Sequence, residues 1–545
     1  MAMSRCALTA ILCLTLSGLP SLAQSAGAQA QGQEPAAAAP AGPPPVPLTL
    51  AEAVSMSLKS NLDIRTARIT PMIREQEILL EEAPFDPNVG GFAEWQDNST
   101  PTQNVFDIDP TDIPTSGLEV IRIDETLQRY GAGFRDRGRW GGEYSADLFL
   151  TGRTSTSANQ LLPTTYFAAF VLAYNQSLLR GFGNEANTSR ITIARTNLDI
   201  SRSEFMGNVQ DVLRRTEDAY WELVFARQDL DVNLESMRLA QELLKLNRIK
   251  VQVGTLPPIE ITTAEAEVAN REQNVIVAEN AVRDAEDTLR LVLNLPKTDE
   301  MWSRPIAPSD APVFVERTVD LPREMEVAFH ERPELEQARL QVESAETQLA
   351  FDKKQLRWDL NGYARYQLSG LSGDINDPFA VSPDPTVPLV PVQNQDFTDA
   401  LRFIPDREFP SYTVGVNLSV PLGNNAAQSA YVRSRLTTEQ AQSNYDALKL
   451  AAEVDVRTAA RGIETGRKRI QAAEKNVELQ KKKVEAEQKK FENGMSTSFQ
   501  VLEFQEDLTT ALGQLNRSLV DYRKSLTAME RAKGTLDDYL NIEVQ

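Results

Sequence analysis

Apolar residues recur at intervals of seven along two stretches of the chain, 205–295 and 445–536. In the first they are Leu223, Leu230, Met237, Leu244 and Val251, then Ile261, Val268, Val275, Val282 and Leu289. In the second they are Ile463, Ile470, Val477, Val484 and Phe491, then Val501, Leu508, Leu515, Tyr522 and Met529. The two sets superpose at a constant offset of 240 positions, without a gap. A seven-residue repeat held over several turns keeps one apolar seam against a partner helix and imposes a supercoil. Each stretch therefore reads as a long helical hairpin. The ascending arms, near 185–252 and 426–492, are each roughly 100 Å long at about 1.5 Å per residue. An ordinary helical bundle or a spectrin-like rod shows the same spacing.

A second internal match joins 50–95 to 321–366 at an offset of 271, with Gly91-Phe92 and Trp95 meeting Gly362-Tyr363 and Tyr366. Each copy reads as a helix of about 30 residues running into a strand, because helical spacing gives way to alternation. Thr49 with Glu52 resembles a capping box at the start of the first. Leu360, Gly362, Ala364, Tyr366 and Leu368 alternate with more polar neighbours. So do Tyr412, Val414, Val416, Leu418 and Val420, and, less strictly, Phe170, Leu172, Tyr174 and Leu178. Strands of about ten residues, apolar on one side and small or polar on the other, suit a membrane barrel wall. An antiparallel sandwich shows the same alternation. Polar, Pro-rich loops are expected at 97–120 and 372–408. The segment 130–156 reads as an additional β-hairpin or strand extension that the second half lacks.

Composition narrows this picture. The 545-residue chain carries a net charge of −21, so the basic stripe that nucleic-acid binding needs is not expected. Arg5, the apolar run Ala7–Leu16 and Ser21-Leu22-Ala23 read as a secretory signal over 1–23. Residues 24–47, rich in Ala, Gln and Pro, read as a linker. Both cysteines, Cys6 and Cys13, lie in the signal, so the mature chain has no thiol for a disulfide, metal site or nucleophile. Beyond the first 25 residues no run is apolar for the roughly 18 residues of a transmembrane helix.

Enzyme chemistry finds no foothold. The one histidine, His330, has no second His or Cys with which to form a usual zinc site, and no Gly-x-Ser-x-Gly turn supports a triad around it. No phosphate-binding loop is present. No catalytic residue, cofactor or metal site is expected.

Each half thus gives helix, strand, strand, long helix, tip and helix, an α+β arrangement with four principal strands per chain. Four strands cannot close a barrel, and an open sheet edge cannot face lipid. Several chains must share one barrel if this sheet lies in a membrane.

The order of features over about 48–536 resembles the outer membrane efflux protein family, the TolC-like outer membrane factors. The most specific parts are the run Asn175-Gln176-Ser177-Leu178-Leu179-Arg180-Gly181-Phe182-Gly183 and the duplicated tips, Val253-Gly254-Thr255-Leu256-Pro257-Pro258-Ile259-Glu260-Ile261 and Asn493-Gly494-Met495-Ser496-Thr497-Ser498-Phe499-Gln500-Val501-Leu502-Glu503. On this reading the first repeat spans 48–296, a linker 297–320, the second repeat 321–536 and a tail 537–545. The resemblance implies a homotrimer with a twelve-stranded β-barrel in outer membrane lipid, continuous with a periplasmic α-helical coiled-coil barrel. It also implies a periplasmic adaptor (membrane fusion protein) docked at the tips, near Gly254, Thr255, Gly494 and Met495, and an inner-membrane pump of the RND or ABC type. Such a chain is the passive exit duct of a tripartite efflux or type I secretion system. The acidic entrance ring of the family maps onto Glu260, Thr263, Gln500 and Glu503, where Gln500 departs from the acidic pattern. Trp95, Phe170, Tyr174, Tyr366 and Tyr412 are expected on the lipid face. Gly254 and Gly494 suit a left-handed helix stop, and Ser496 or Ser498 is expected to cap the second descending arm. The alternative is a periplasmic coiled-coil scaffold without a pore.

Overall fold

The heptad stretches form two helical hairpins. Here α3 (Asn184–Gln252) and α4 (Ile259–Leu293) make the first, and α9 (Asn425–Glu492) and α10 (Ser498–Lys533) the second. The computed structural model describes residues 44–101, 122–158, 160, 162–374, 396–540 and 542. The expected signal, nearly all of the expected linker and most of the last five residues lie outside them. In the second ascending arm all five heptad residues, Ile463 to Phe491, are buried; in the first only Leu223 is fully so, and Leu230, Met237, Leu244 and Val251 are half-buried. Each buried Leu, Ile or Val contributes about 1.5–3 kcal/mol, so the seam is the main adhesive of each hairpin.

The descending arms are only half as long as the ascending ones. The remaining lengths of α3 and α9 pack against shorter helices, α1 (Leu50–Ser60) and α2 (Leu62–Glu82) in the first repeat, α6 (Leu321–Glu331) and α7 (Pro333–Gln355) in the second. The expected single helix of about 30 residues is therefore two. Asn61 breaks it in the first copy: its side chain accepts from the Asp63 and Ile64 amides at 2.8 and 3.3 Å and caps α2. Pro333, which has no N–H to donate, opens the new helix in the second. The Thr49–Glu52 capping box is present. The stretch expected as an inter-repeat linker carries a short helix, α5 (Glu300–Ser303), and a strand, β6 (Ile306–Pro308), which pairs in parallel with β1 (Val46–Leu48). Beside this pair the Tyr220 hydroxyl donates to Asp310 at 2.7 Å, and Leu48, Trp221, Leu223, Leu289 and Ile306 form the largest buried cluster. The last helix among the described residues is α11 (Leu536–Tyr539).

Six strands form one antiparallel sheet: β2 (Asn88–Pro101), β3 (Arg122–Arg137), β4 (Gly142–Ser155), β5 (Thr164–Ser177), β7 (Asp359–Asp374) and β8 (Phe409–Ser419), in the order β2-β3-β4-β5-β7-β8. This corrects the expected four strands per chain. The segment around 130–156 is a full hairpin, inserted in the sheet between β2 and β5. Its turn is tight: the Gly138 amide donates to the Gly142 carbonyl at 2.7 Å and Gly141 takes a φ of 91°. The turn rests on the helix ends below it. Arg139 pairs with Glu82 at 3.6 Å, Gly183 donates to the Trp140 carbonyl at 3.1 Å, and Asn187 donates to Gly181 at 2.8 Å.

The 372–408 segment, expected as a loop, contains α8 (Phe397–Asp406). Asp396 and Asp399 form a capping box, and Phe397, Ala400 and Phe403 turn inward while Thr398 and Arg402 stay exposed. This helix lies on β5 and β7 at their ends remote from the long helices, where Gly152 and Gly370 leave room for Phe397 and the Ala400 backbone.

Candidate functional site

The two hairpins end in the same turn. In the first, the Gly254 amide donates to the Val251 carbonyl at 3.0 Å and the Thr255 amide to Lys250 at 2.9 Å; in the second, Gly494 donates to Phe491 at 3.2 Å and Met495 to Lys490 at 2.9 Å. Both are Schellman stops, which need a left-handed residue at the glycine; φ is 79° at Gly254 and 72° at Gly494. Beyond the turn, Pro257 and Pro258 lead into α4. In the second copy Thr497 caps α10, its hydroxyl accepting from the Gln500 amide at 3.4 Å, in place of the expected Ser496 or Ser498. The two serines are engaged elsewhere: Ser496 donates to Glu487 at 2.6 Å, and Ser498 bonds the Glu260 carboxylate.

Two bonds join the tips within one chain: Ser498 to Glu260, and Lys250, which reaches across to the end of α9, while Asn247 donates to the Glu260 carbonyl at 3.4 Å within the first hairpin. Of the four entrance candidates, Thr263 and Glu503 line one groove of about 480 Å3 between α4 and α10, with Glu267, Asn270, Phe499 and Glu506. Glu260 lies apart from them against Ser498, and Gln500 is drawn to Ser496 at 3.0 Å. Thr263 also donates back to the Ile259 carbonyl at 3.2 Å. Gly254, Thr255, Gly494 and Met495 are exposed at the tips. Val253, Ile259 and Phe499, which the sequence reading did not single out, add exposed apolar surface there.

The reading also missed Arg271. It is buried between the hairpins, donating to Glu267 at 2.6 Å and Ser236 at 2.8 Å, 3.8 Å from Glu506; Ser236 in turn meets Thr509 at 3.1 Å. It stands on a second seven-residue row of α4, with Ala264, Ala278 and Ala285, all buried. A lone charge in that row is the sequence signal that could have found it. Among the described residues no group of His, Cys, Asp or Glu is placed to hold a metal ion.

At the other end of the molecule the strand register sets the faces. Trp95 pairs with Gln128, Gln128 with Gly152 and Gly152 with Tyr166; Phe170 pairs with Leu368, and Tyr366 with Tyr412. Since side chains alternate, Trp95, Phe170, Tyr174, Tyr366 and Tyr412 all lie on one face. That face also carries Val89, Ala146, Leu148, Leu150, Leu172 and Val414, while Glu94, Arg129, Arg135, Asp147, Arg153 and Arg365 lie on the other. Phe134, Tyr144, Tyr174, Tyr366 and Tyr412 gather at one level of the apolar face, and Tyr130, Tyr166 and Phe397 at another. Tyr166 and Tyr174 are eight residues apart on β5. That is about 26 Å along the strand and about 20 Å along the axis of a barrel tilted by about 40°, close to the roughly 25 Å apolar band of outer-membrane barrels. No helix among the described residues is long and apolar enough to cross a membrane.

A sheet with an apolar, aromatic-banded face, set on long coiled-coil helices, is the architecture of outer membrane channels. The fold is similar to the CmeC outer membrane channel of Campylobacter jejuni (TM-score 0.60, 15% identity, covering 89% of this chain and 86% of that one). It is also similar to VceC of Vibrio cholerae (0.60, 12%, 89% and 96%) and to the open state of the MtrE outer membrane channel of Neisseria gonorrhoeae (0.58, 13%, 89% and 89%). No curated protein sequence matches the chain. The family model described as outer membrane efflux protein matches residues 150–295 and 325–535, more than half of the chain, and the chain belongs to that family. It is an outer membrane efflux channel that extends into the periplasm.

Proposed function

We propose that three copies of the chain form the exit duct of a tripartite efflux or type I secretion assembly. The observation that carries this is the open sheet. Among the described residues both edges, β2 and β8, lack a further strand partner, and their apolar side chains are bare: Val414 is 84% exposed and Tyr412 73%. Such an edge is not tolerated in lipid, and β8 runs toward the helices while β2 runs away from them. The β8 edge of one copy therefore accepts the β2 edge of the next as an antiparallel neighbour. The exposed tips, with Val253, Ile259, Met495 and Phe499, form the docking ground for a periplasmic adaptor, and an inner-membrane pump of the RND or ABC type supplies the energy. Transport through the duct is passive, and the chain performs no catalysis.

The native mass of the mature protein extracted from outer membranes in detergent tests this reading. A detergent-dependent trimer is expected. A soluble monomer or dimer in the periplasmic fraction overturns it and leaves a scaffold.

A further inference from the structure

We infer that the shared barrel has eighteen strands, and that it is as wide as the helical tube beneath it rather than narrower. The inference rests on the trimeric reading above and goes beyond it.

The β3–β4 hairpin has the chemistry of a barrel wall along its whole length. On the face shared with Trp95 and Tyr366 it carries Tyr130, Phe134, Tyr144, Ala146, Leu148 and Leu150. On the opposite face it carries Glu125, Arg129, Arg135, Asp147 and Arg153, with Arg129 paired to Glu94 of β2 at 3.5 Å. A hairpin lying outside the wall would have no use for an apolar face in register with that of β5, nor for a charged face in register with that of β2. Its ladders are also unbroken. Asn88–Pro101 pairs fully with β3, and β4 pairs with β5 from Gly142↔Gln176 to Thr154↔Thr164. The hairpin separates β2 from β5 and cannot be lifted out without opening the sheet.

Width follows from the strand count. Neighbouring strands about 4.8 Å apart and tilted by about 40° give a backbone diameter of roughly 36 Å for eighteen strands and roughly 24 Å for twelve. Below the sheet the helices α2, α3, α7 and α9 pack side by side in that order, each joined to its own strand, β2, β5, β7 or β8. Three copies make a ring of twelve, which at 8–10 Å between axes spans roughly 31–39 Å. Eighteen strands match this ring; twelve would need a taper. The Gly138–Gly141 turn supports the match, because it fills the position between the ends of α2 and α3, held there by Arg139 on Glu82 and by the Gly183 amide on Trp140. The barrel is then not the narrow point of the duct, and cargo size is set in the helical tunnel and at the tips.

A single-particle reconstruction of the detergent-extracted trimer tests this directly. Eighteen strands and a barrel about 1.5 times wider than a twelve-stranded one are expected. A trimer with twelve strands, its hairpins outside the wall, overturns the wide barrel and leaves the duct standing; the absence of a trimer overturns both. A second measurement uses the lack of cysteine after Cys13. In intact outer membranes, T151C is expected to react with a membrane-impermeant maleimide and L150C to react only after detergent is added. Equal labelling of the two overturns the placement of β4 in the wall.

Discussion

Lys250, at the end of the first ascending helix, holds the end of the second. Its Nζ donates to the Phe491 carbonyl at 3.2 Å and lies 3.9 Å above the centre of the Phe491 ring. A cation at a helix C-terminus and over an aromatic face contributes about 1 kcal/mol from each effect. Lys250→Met should therefore loosen the two tips, leaving the Ser498–Glu260 bond as their remaining polar link, at little cost to the fold. Single-channel recording is expected to show a higher open probability, with the melting temperature moved by only a few degrees.

The tip glycines are required by their backbone. Nothing lies within 4 Å of a Cβ at either Gly254 or Gly494, so an alanine there meets no clash and suffers only the left-handed φ. That costs about 1–2 kcal/mol. Amide hydrogen exchange at 250–259 in Gly254→Ala, or at 490–498 in Gly494→Ala, should accelerate about 5- to 30-fold, since each 1.4 kcal/mol is tenfold. The body of the hairpin should stay unchanged.

Arg271 separates packing from linkage. Arg271→Ala leaves Glu267 half-buried without its partner and a cavity in the seam, and should destabilise the protein by about 2–4 kcal/mol. Arg271→Leu restores an apolar seam residue and should cost less than half as much. Both lose the bond to Ser236. Thermal unfolding ranks the two variants.

Burial raises the Glu217 carboxyl above its ordinary value, against the opposing bonds from Thr527 and Trp221. One of its oxygens is buried without a hydrogen-bond partner. An acid whose folded pKa is raised lends stability that is full below its unfolded value, near 4.5, and is lost as pH rises through the folded value. Glu217→Gln should therefore raise the melting temperature at pH 8 and have little effect at pH 4. Equal shifts at both values would disprove the role of ionisation.

In the proposed trimer, threefold symmetry would turn Glu260 and Glu503 into rings of three carboxylates, which attract cations. The double variant E260Q/E503Q should lower the cation preference of the reconstituted channel. Reversal potentials in a salt gradient measure it, and an unchanged value would remove these residues from the entrance.

What was legible along the chain is what is local. The seam residues Ile463 to Phe491 repeat within one helix, and the stops at Gly254 and Gly494 depend on neighbours a turn away. The faces of β5, β7 and β8 follow from alternation. The strand count was not legible, because Gly131, Gly133 and the charges Arg129 and Arg135 blur the alternation of β3, and its place beside β2 is settled only by pairing. For the same reason α8 passed as loop: its apolar side is short and is completed by Gly370 on a distant strand. Thr497 took the capping role because Ser498 is claimed by Glu260, a partner 238 positions away that no local pattern could reveal.

The small parallel pair of β1 and β6 has a bearing on the order in which the molecule can be made. Val46 meets Ile306, so β1 finds its strand partner only after some 260 further residues have been delivered. Closing so long a loop is slow, and contacts of this span form late in folding. The first repeat thus cannot finish as a free-standing unit during export. Tyr220 and Leu48 wait for Asp310 and Ile306 from the region between the repeats, which makes that region the clasp on which maturation of both halves depends.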